Sequence, residues 1–153
     1  MHQQKGYQKL RKGRRSLNHY FYLITTQIDR REPILAEHDC AQLELRSLKW
    51  MDQQDLFLLD TAVVMPDHVH FLGRLKSRPM DKIMQQLKSF TSKQIGIRLK
   101  RQGRIWQIGY HDHAVRKEEV LNEIRLYCLD NPVQAKLVDD FHDYPHWFSI
   151  WPV

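Results

Sequence analysis

The residues with the most chemical content lie in Val63-Val64-Met65-Pro66-Asp67-His68-Val69-His70-Phe71-Leu72. His68 and His70 flank a single valine inside an apolar run. On a β-strand, residues two apart project to the same side, so the two imidazoles offer their nitrogens to one divalent ion. An ion held there polarises a phosphate oxygen, and that chemistry calls for a nucleophile. Tyr127 is the candidate. It lies four residues before Asn131 on a stretch of helical character, and side chains at i and i+4 share one helix face. Glu123 lies one turn earlier on that face. Two imidazoles and the Asn131 amide oxygen form an open shell, which water and a phosphate oxygen complete around octahedral Mg²⁺ or Mn²⁺. A phenol of ordinary pKa, about 10, is a poor nucleophile at neutral pH. A nearby cation favours the phenolate and stabilises charge building on a phosphoryl group. The same residues also fit a plainer reading: half-buried histidines with satisfied nitrogens, a packed tyrosine, and an asparagine that caps its helix.

Charge points to the same class of substrate. The 153 residues carry 24 Lys and Arg against 18 Asp and Glu. Residues 1–18 hold Lys5, Lys9, Arg11, Lys12, Arg14 and Arg15 and no acid, which accounts for the whole net charge of +6. A second basic stretch, Arg74 to Arg104, contains Asp81 as its one acid. Such segregation fits a polyanion on one side of the molecule, although a solvated tail and a solvated helix face produce the same pattern. Arg11, Arg14, Arg15, Lys88 and Lys93 are the candidate phosphate contacts. Trp106 and Tyr110 fit either stacking on unpaired bases or a place in the core. A second pair, His111 and His113, reads as exposed or hydrogen-bonded strand residues, with DNA contact as the functional alternative. No Gly-rich phosphate loop of the Walker type is present.

With 42% hydrophobic residues the chain fits one domain with a full core. No apolar run approaches the roughly 20 residues of a membrane helix, and no apolar segment follows Met1–Lys5, so neither a membrane span nor a secretory signal is expected. Cys40 and Cys128 are too few for a disulfide framework and suit a reducing cytoplasm.

The elements that must position the candidate residues follow from periodicity. His19–Thr26 reads as a strand and residues 37–51 as a helix, with Leu43, Leu45, Leu48 and Trp50 as its apolar positions. Leu56–Met65 and His68–Leu75 form a hairpin around Pro66-Asp67. A helix opens at Pro79, buries Met80, Ile83, Met84, Leu87, Phe90 and Ile97, and ends at Gln102-Gly103. Extended chain from Ile105 to Val115 supplies a fourth strand. The last helix runs from Glu118 to Asp130 and closes at Asn131-Pro132, because the residue before proline avoids helical angles. The order strand, helix, strand, strand, helix, strand is that of an α+β, ferredoxin-like split βαβ fold: a four-stranded antiparallel sheet with an additional C-terminal helix that bears the tyrosine. Three segments are expected: a basic arm over 1–18, one domain over 19–142, and an aromatic tail over 143–153 that docks on the body.

At these residues the chain resembles the single-tyrosine HUH transposases of bacterial insertion sequences, and most of all their REP-associated branch. The stretch MPDHVHFL resembles the family's His-hydrophobe-His strand, and YCLDNPVQAKLV its tyrosine helix. HYFYLITTQIDRREPIL resembles its first strand, IMQQLKSFTSKQI its central helix, RIWQIGYHDHAVR the strand before the tyrosine helix, and YPHWFS the segment after it. The resemblance runs from about Tyr7 to Trp147. It implies a bacterial, nucleoid-associated cytoplasmic enzyme. It further implies Mg²⁺ or Mn²⁺ on His68, His70 and Asn131, Tyr127 as nucleophile, and cleavage and joining of single-stranded DNA beside REP-like hairpins through a phosphotyrosine. A monomer is favoured over a helix-exchanged dimer. Asp67 stands where the family more often has Asn, Lys136 where Gly is typical, and Leu17-Asn18-His19 lacks a Gly-rich turn. The alternative function is a non-catalytic nucleic-acid-binding module or regulator derived from a transposase.

Overall fold

The computed structural model describes residues 20–116 and 118–153. The basic arm, and with it Arg11, Arg14 and Arg15, lies outside the described residues. The elements are β1 (Phe21–Gln27), α1 (His38–Gln53), β2 (Phe57–Met65), β3 (His68–Leu75), α2 (Met80–Leu99), β4 (His111–Val115), α3 (Glu118–Gln134) and β5 (Trp147–Ser149). The strands form one antiparallel sheet in the order β4-β1-β3-β2-β5. The first four are the expected ferredoxin-like arrangement. The aromatic tail adds a fifth strand along the outer edge of β2, which would otherwise leave a row of backbone groups unpaired.

The sheet sorts its side chains by parity. Along β1, Tyr22, Ile24 and Thr26 are buried and their alternate neighbours only partly so. Tyr22 and Ile24 join Val64, Val69 and Phe71 in the main core with the buried faces of α1 and α2. A smaller cluster of Val63, Met65, Cys128 and Tyr144 forms on the other side, where α3 packs. Gly73 on β3 is required by closeness, since a Cβ there would meet the Phe57 ring at 2.1 Å.

Several boundaries differ from the periodicity reading. On α2 the buried positions are Met80, Ile83, Met84, Leu87, Thr91 and Ile95, while Phe90 and Ile97 are exposed. Thr91 is buried because its hydroxyl donates to the Leu87 carbonyl at 2.8 Å and accepts from Trp106 Nε1 at 2.9 Å. The helix ends at Leu99, with Lys100 in the left-handed conformation, rather than at Gly103. On α1, Trp50 is exposed and Glu44 is fully buried. β4 begins only at His111; Trp106 instead makes an isolated bridge to Ile28. Helix α3 passes through Pro132 to Gln134. A proline this near the end removes one ladder bond, and the next turn closes in a Schellman pattern: Lys136 N–H donates to the Val133 carbonyl and Leu137 N–H to that of Pro132, both at 2.9 Å. Lys136, at φ 60°, holds the left-handed position where glycine is favoured.

Helix α3 is fastened to the sheet by a buried ion pair. Arg125 Nε donates to Asp60 Oδ1 at 2.8 Å and its Nη2 to Oδ2 at 2.9 Å. Asp60 sits where the β2–β3 register shifts between Leu59 and Thr61, and it also accepts from the Thr61 hydroxyl at 2.6 Å and from Trp151 Nε1 at 3.3 Å.

Three outcomes follow for stability in urea. Arg125→Met strands the Asp60 charge and costs about 3–5 kcal/mol; Asp60→Leu combined with Arg125→Met loses less than Arg125→Met alone. Lys136→Gly removes a left-handed strain of about 1–2 kcal/mol and adds back about 0.5–1 kcal/mol of chain entropy, so the unfolding midpoint rises. Burial pushes the Glu44 carboxyl up to about 8, against smaller opposing effects of Thr91 and Lys88. Neither carboxyl oxygen has a hydrogen-bond partner among the described residues, the Thr91 hydroxyl hydrogen being committed to Leu87. Folding therefore favours the proton. The glutamate contribution is unchanged below its ordinary value of 4.5 and declines as pH rises towards 8, by about 1.4 kcal/mol per pH unit between those limits. Glu44→Gln removes that decline, and midpoints at pH 5, 6.5 and 8 measure it.

Candidate active site

Met65 and His68 pair across the two-residue connection Pro66-Asp67, so β3 starts on the first histidine. Parity then puts His68 and His70 on the α3 side of the sheet, with ring centroids 4.8 Å apart. Each ring is anchored through Nδ1. His68 Nδ1 lies 2.7 Å from Asp67 Oδ1. His70 Nδ1 lies 2.7 Å from Thr25 Oγ1, its neighbour across the β1–β3 ladder. A hydrogen on Nδ1, donated to the carboxylate in one ring and to the hydroxyl in the other, leaves both Nε2 lone pairs without a partner among the described residues. Metal-binding imidazoles are oriented in this way. Burial, reinforced by the neighbouring His68 and Arg31, pushes His70 down to about 4, so it is neutral at physiological pH. Asp67 is pushed up by partial burial but lowered on balance, because Arg31 and His68 both hydrogen-bond its charged form.

Arg31 completes this shell, with Nε 2.8 Å from Asp67 Oδ2. It comes from the turn after β1, where Arg30 and Arg31 adopt φ of 57° and 55°. Two successive non-glycine residues there cost about 1–2 kcal/mol each. Nothing in the sequence reading singled out Arg31 or Thr25. The period-two pattern of β1 contained Thr25 without saying which strand would lie beside it, and Asp67 was visible as a turn residue standing where the family more often has Asn, not as the partner of His68 and Arg31.

Tyr127 comes from α3. Arg125, Cys128, Leu129 and Pro132 are its buried positions. The tyrosine sits on the flank, 57% exposed, with its ring centroid 5.8 Å from that of His70. The phenol and the imidazole pair, 57 to 59 residues apart in sequence, are therefore neighbours within one chain. Asn131 lies one turn on, and its Nδ2 donates to the Tyr127 carbonyl at 3.0 Å. That bond ties the two residues of the i, i+4 pair to each other and leaves Oδ1 as the amide's open acceptor. No group of three His, Cys, Asp or Glu side chains that could hold a metal is found among the described residues. The two Nε2 atoms nevertheless suit a divalent ion whose remaining positions are filled by amide, water or phosphate oxygens.

The other candidates fall elsewhere. Lys88 and Lys93 lie on α2, across the sheet from the imidazoles; Lys88 Nζ donates to the Gln107 carbonyl at 2.8 Å and also to that of Gly109. Trp106 and Tyr110 are buried, the latter donating to Asp81 at 2.7 Å, so a core place is what they occupy. His111 and His113 are exposed on β4, on the same sheet face as His70 and opposite Thr25 and Leu23. An apolar groove of about 540 Å³ between α1 and α2, lined by Leu43, Trp50, Leu87 and Phe90 among others, also lies across the sheet.

A solved structure of a REP-associated tyrosine transposase bound to a REP hairpin superposes with a TM-score of 0.66 and 20% identity, over 88% of this chain and 79% of that one. A putative transposase from Deinococcus radiodurans R1 superposes with a TM-score of 0.51 and 20% identity, over 74% of this chain and 92% of that one. At this identity both likenesses speak to the fold. No curated protein matches the sequence. The model of the IS200-like transposase family matches residues 16–131. A match over that much of the sequence makes the chain a member of the IS200-like transposase family.

Proposed function

We propose that the protein cleaves and rejoins single-stranded DNA beside REP-like hairpins, through a covalent bond between the strand and Tyr127, in the manner of a REP-associated tyrosine transposase. One observation carries this reading: the Tyr127 ring lies 5.8 Å from His70, and the His70 ring 4.8 Å from His68, with both Nδ1 atoms already engaged. The hairpin held by the similar solved structure supports the class of substrate.

His68 and His70, with Asn131 as the third donor, would hold Mg²⁺ or Mn²⁺. When bound, the ion supplies Lewis-acid polarisation of a phosphate oxygen. The chain's own residues do the rest. Thr25 and Asp67 hold the two rings in place. Tyr127 loses its phenolic proton and its oxygen forms a bond to phosphorus as the bond from phosphorus to the leaving sugar oxygen breaks. That oxygen takes up a proton and becomes a free hydroxyl end. The phosphodiester energy is kept in the phosphotyrosine, so a hydroxyl end can reverse the step or join a new strand without nucleotide hydrolysis. All of these residues come from one chain, which suits a monomer. Lys88 and Lys93, on the far layer, would serve DNA that wraps around the body rather than the reacting linkage.

The test is adduct formation. Incubated with Mn²⁺ and hairpin-bearing single strands, the protein yields a covalent protein–DNA species on denaturing gels. Tyr127→Phe yields none, and His68→Ala and His70→Ala form it far more slowly. An adduct formed by Tyr127→Phe refutes the nucleophile assignment. Hairpin binding with no adduct under either metal supports the binding-module alternative.

A further inference from the structure

Arg31 reaches Asp67 along a backbone with no glycine to ease it. Residues 30 and 31 are both left-handed, and the segment is held there by bonds to the β2–β3 connection. Ile28 N–H donates to the Asp67 carbonyl, Leu35 N–H to the Pro66 carbonyl, and Arg31 N–H to the Ile28 carbonyl, each at 2.9 Å. Exposed ion pairs contribute little to stability, and the Arg31 side chain is 54% exposed. The pair with Asp67 therefore does not offset two left-handed residues. Strain left uncompensated beside a site points to a role in that site.

The donor inventory says which role. A guanidinium offers five N–H donors in a planar fork that matches phosphate. Nε is used on Asp67, and the two terminal nitrogens have no hydrogen-bond partner among the described residues. The Asp67 carboxylate beside His68 would repel a phosphate brought next to it, and the Arg31 guanidinium on that carboxylate offsets its charge.

We propose that Arg31 binds a non-bridging phosphate oxygen of the single strand at the His68–His70 site through its terminal nitrogens, while Nε holds Asp67 and so the His68 ring. This rests on the reading of the site as a strand-cleaving centre. Arg31 is then both a substrate contact and a positioning residue, and the left-handed turn is what brings one side chain to both tasks.

The test uses the full chain carrying Tyr127→Phe, with Mn²⁺ and a fluorescein-labelled dT20 strand, followed by anisotropy from low to moderate salt. Adding Arg31→Ala weakens binding about tenfold and flattens the slope of log K against log salt by about 0.7, the release expected from one single-strand phosphate contact. Arg31→Gln does the same, which covers an alanine variant that fails to fold. Asp67→Asn leaves the slope unchanged. Equal slopes for the parent and both Arg31 variants overturn the proposal, as does an Asp67→Asn slope that falls as far as that of Arg31→Ala, since Arg31 would then act only through the carboxylate. A parent that does not bind dT20 removes the single-strand premise and the proposal with it. An adduct formed by the Tyr127→Phe parent would displace the nucleophile and leave the Arg31 slopes to be judged on their own.

Discussion

The bidentate pair between Arg125 and Asp60 is the interaction on which the site depends. Helix α3 has a thin apolar face: Cys128, Leu129 and Pro132 are buried, while Asn122, Glu123, Leu126 and Tyr127 are exposed. So narrow a stripe leaves the rotation of a helix about its own axis poorly determined. Two parallel hydrogen bonds from a planar guanidinium to a carboxylate determine it well, and Arg125 is two residues from Tyr127. Buried ion pairs add little net stability compared with an apolar contact. What this one supplies is an orientation. The same carboxylate accepts from Thr61 and from the indole of Trp151, and the Arg125 guanidinium lies 5.5 Å from the Trp151 ring. The chain that follows β5 is thereby tied to the group that seats the tyrosine helix.

The sheet divides the molecule into a side that supplies stability and a side that carries the polar site. Most of the buried apolar side chains face α1 and α2. On the opposite side the apolar cluster is small, and the polar groups sit in rows set by strand register: Thr25 opposite His70 and His111, Gln27 opposite His68. A largely covered imidazole pair and an exposed phenol are tolerated there because the main core does not need them. Glu44 breaks the division, as a fully buried ionisable group in the stabilising half whose carboxyl oxygens have no hydrogen-bond partner among the described residues and whose burial outweighs the opposing effects of Thr91 and Lys88.

The imidazole pair, its strand and the tyrosine helix were legible in the sequence because each depends on local periodicity. His68 and His70 share a face by the period of two, and Tyr127 and Asn131 share one by the helical repeat. Positions whose role depends on a remote neighbour were misread. Phe90 and Ile97 fit the helical spacing of α2 yet are exposed, while Thr91, polar by type, is buried where its hydroxyl accepts from Trp106. The stop expected at Asn131-Pro132 failed because a proline near the end of a helix removes only one bond, and Lys136 accepted the left-handed position that closes the next turn.

The sequence by itself determined the element types, the ferredoxin-like order and the faces on which the candidate groups lie, since backbone sterics and alternating polarity act over a few residues. Only the tertiary structure decided that Thr25 braces His70, that Arg31 reaches Asp67, that Asp60 holds Arg125 and that the phenol meets the imidazoles. Those are contacts between segments tens of residues apart. They are settled by strand register and by the desolvation of charged groups that must find partners, and neither leaves a periodic trace along the chain.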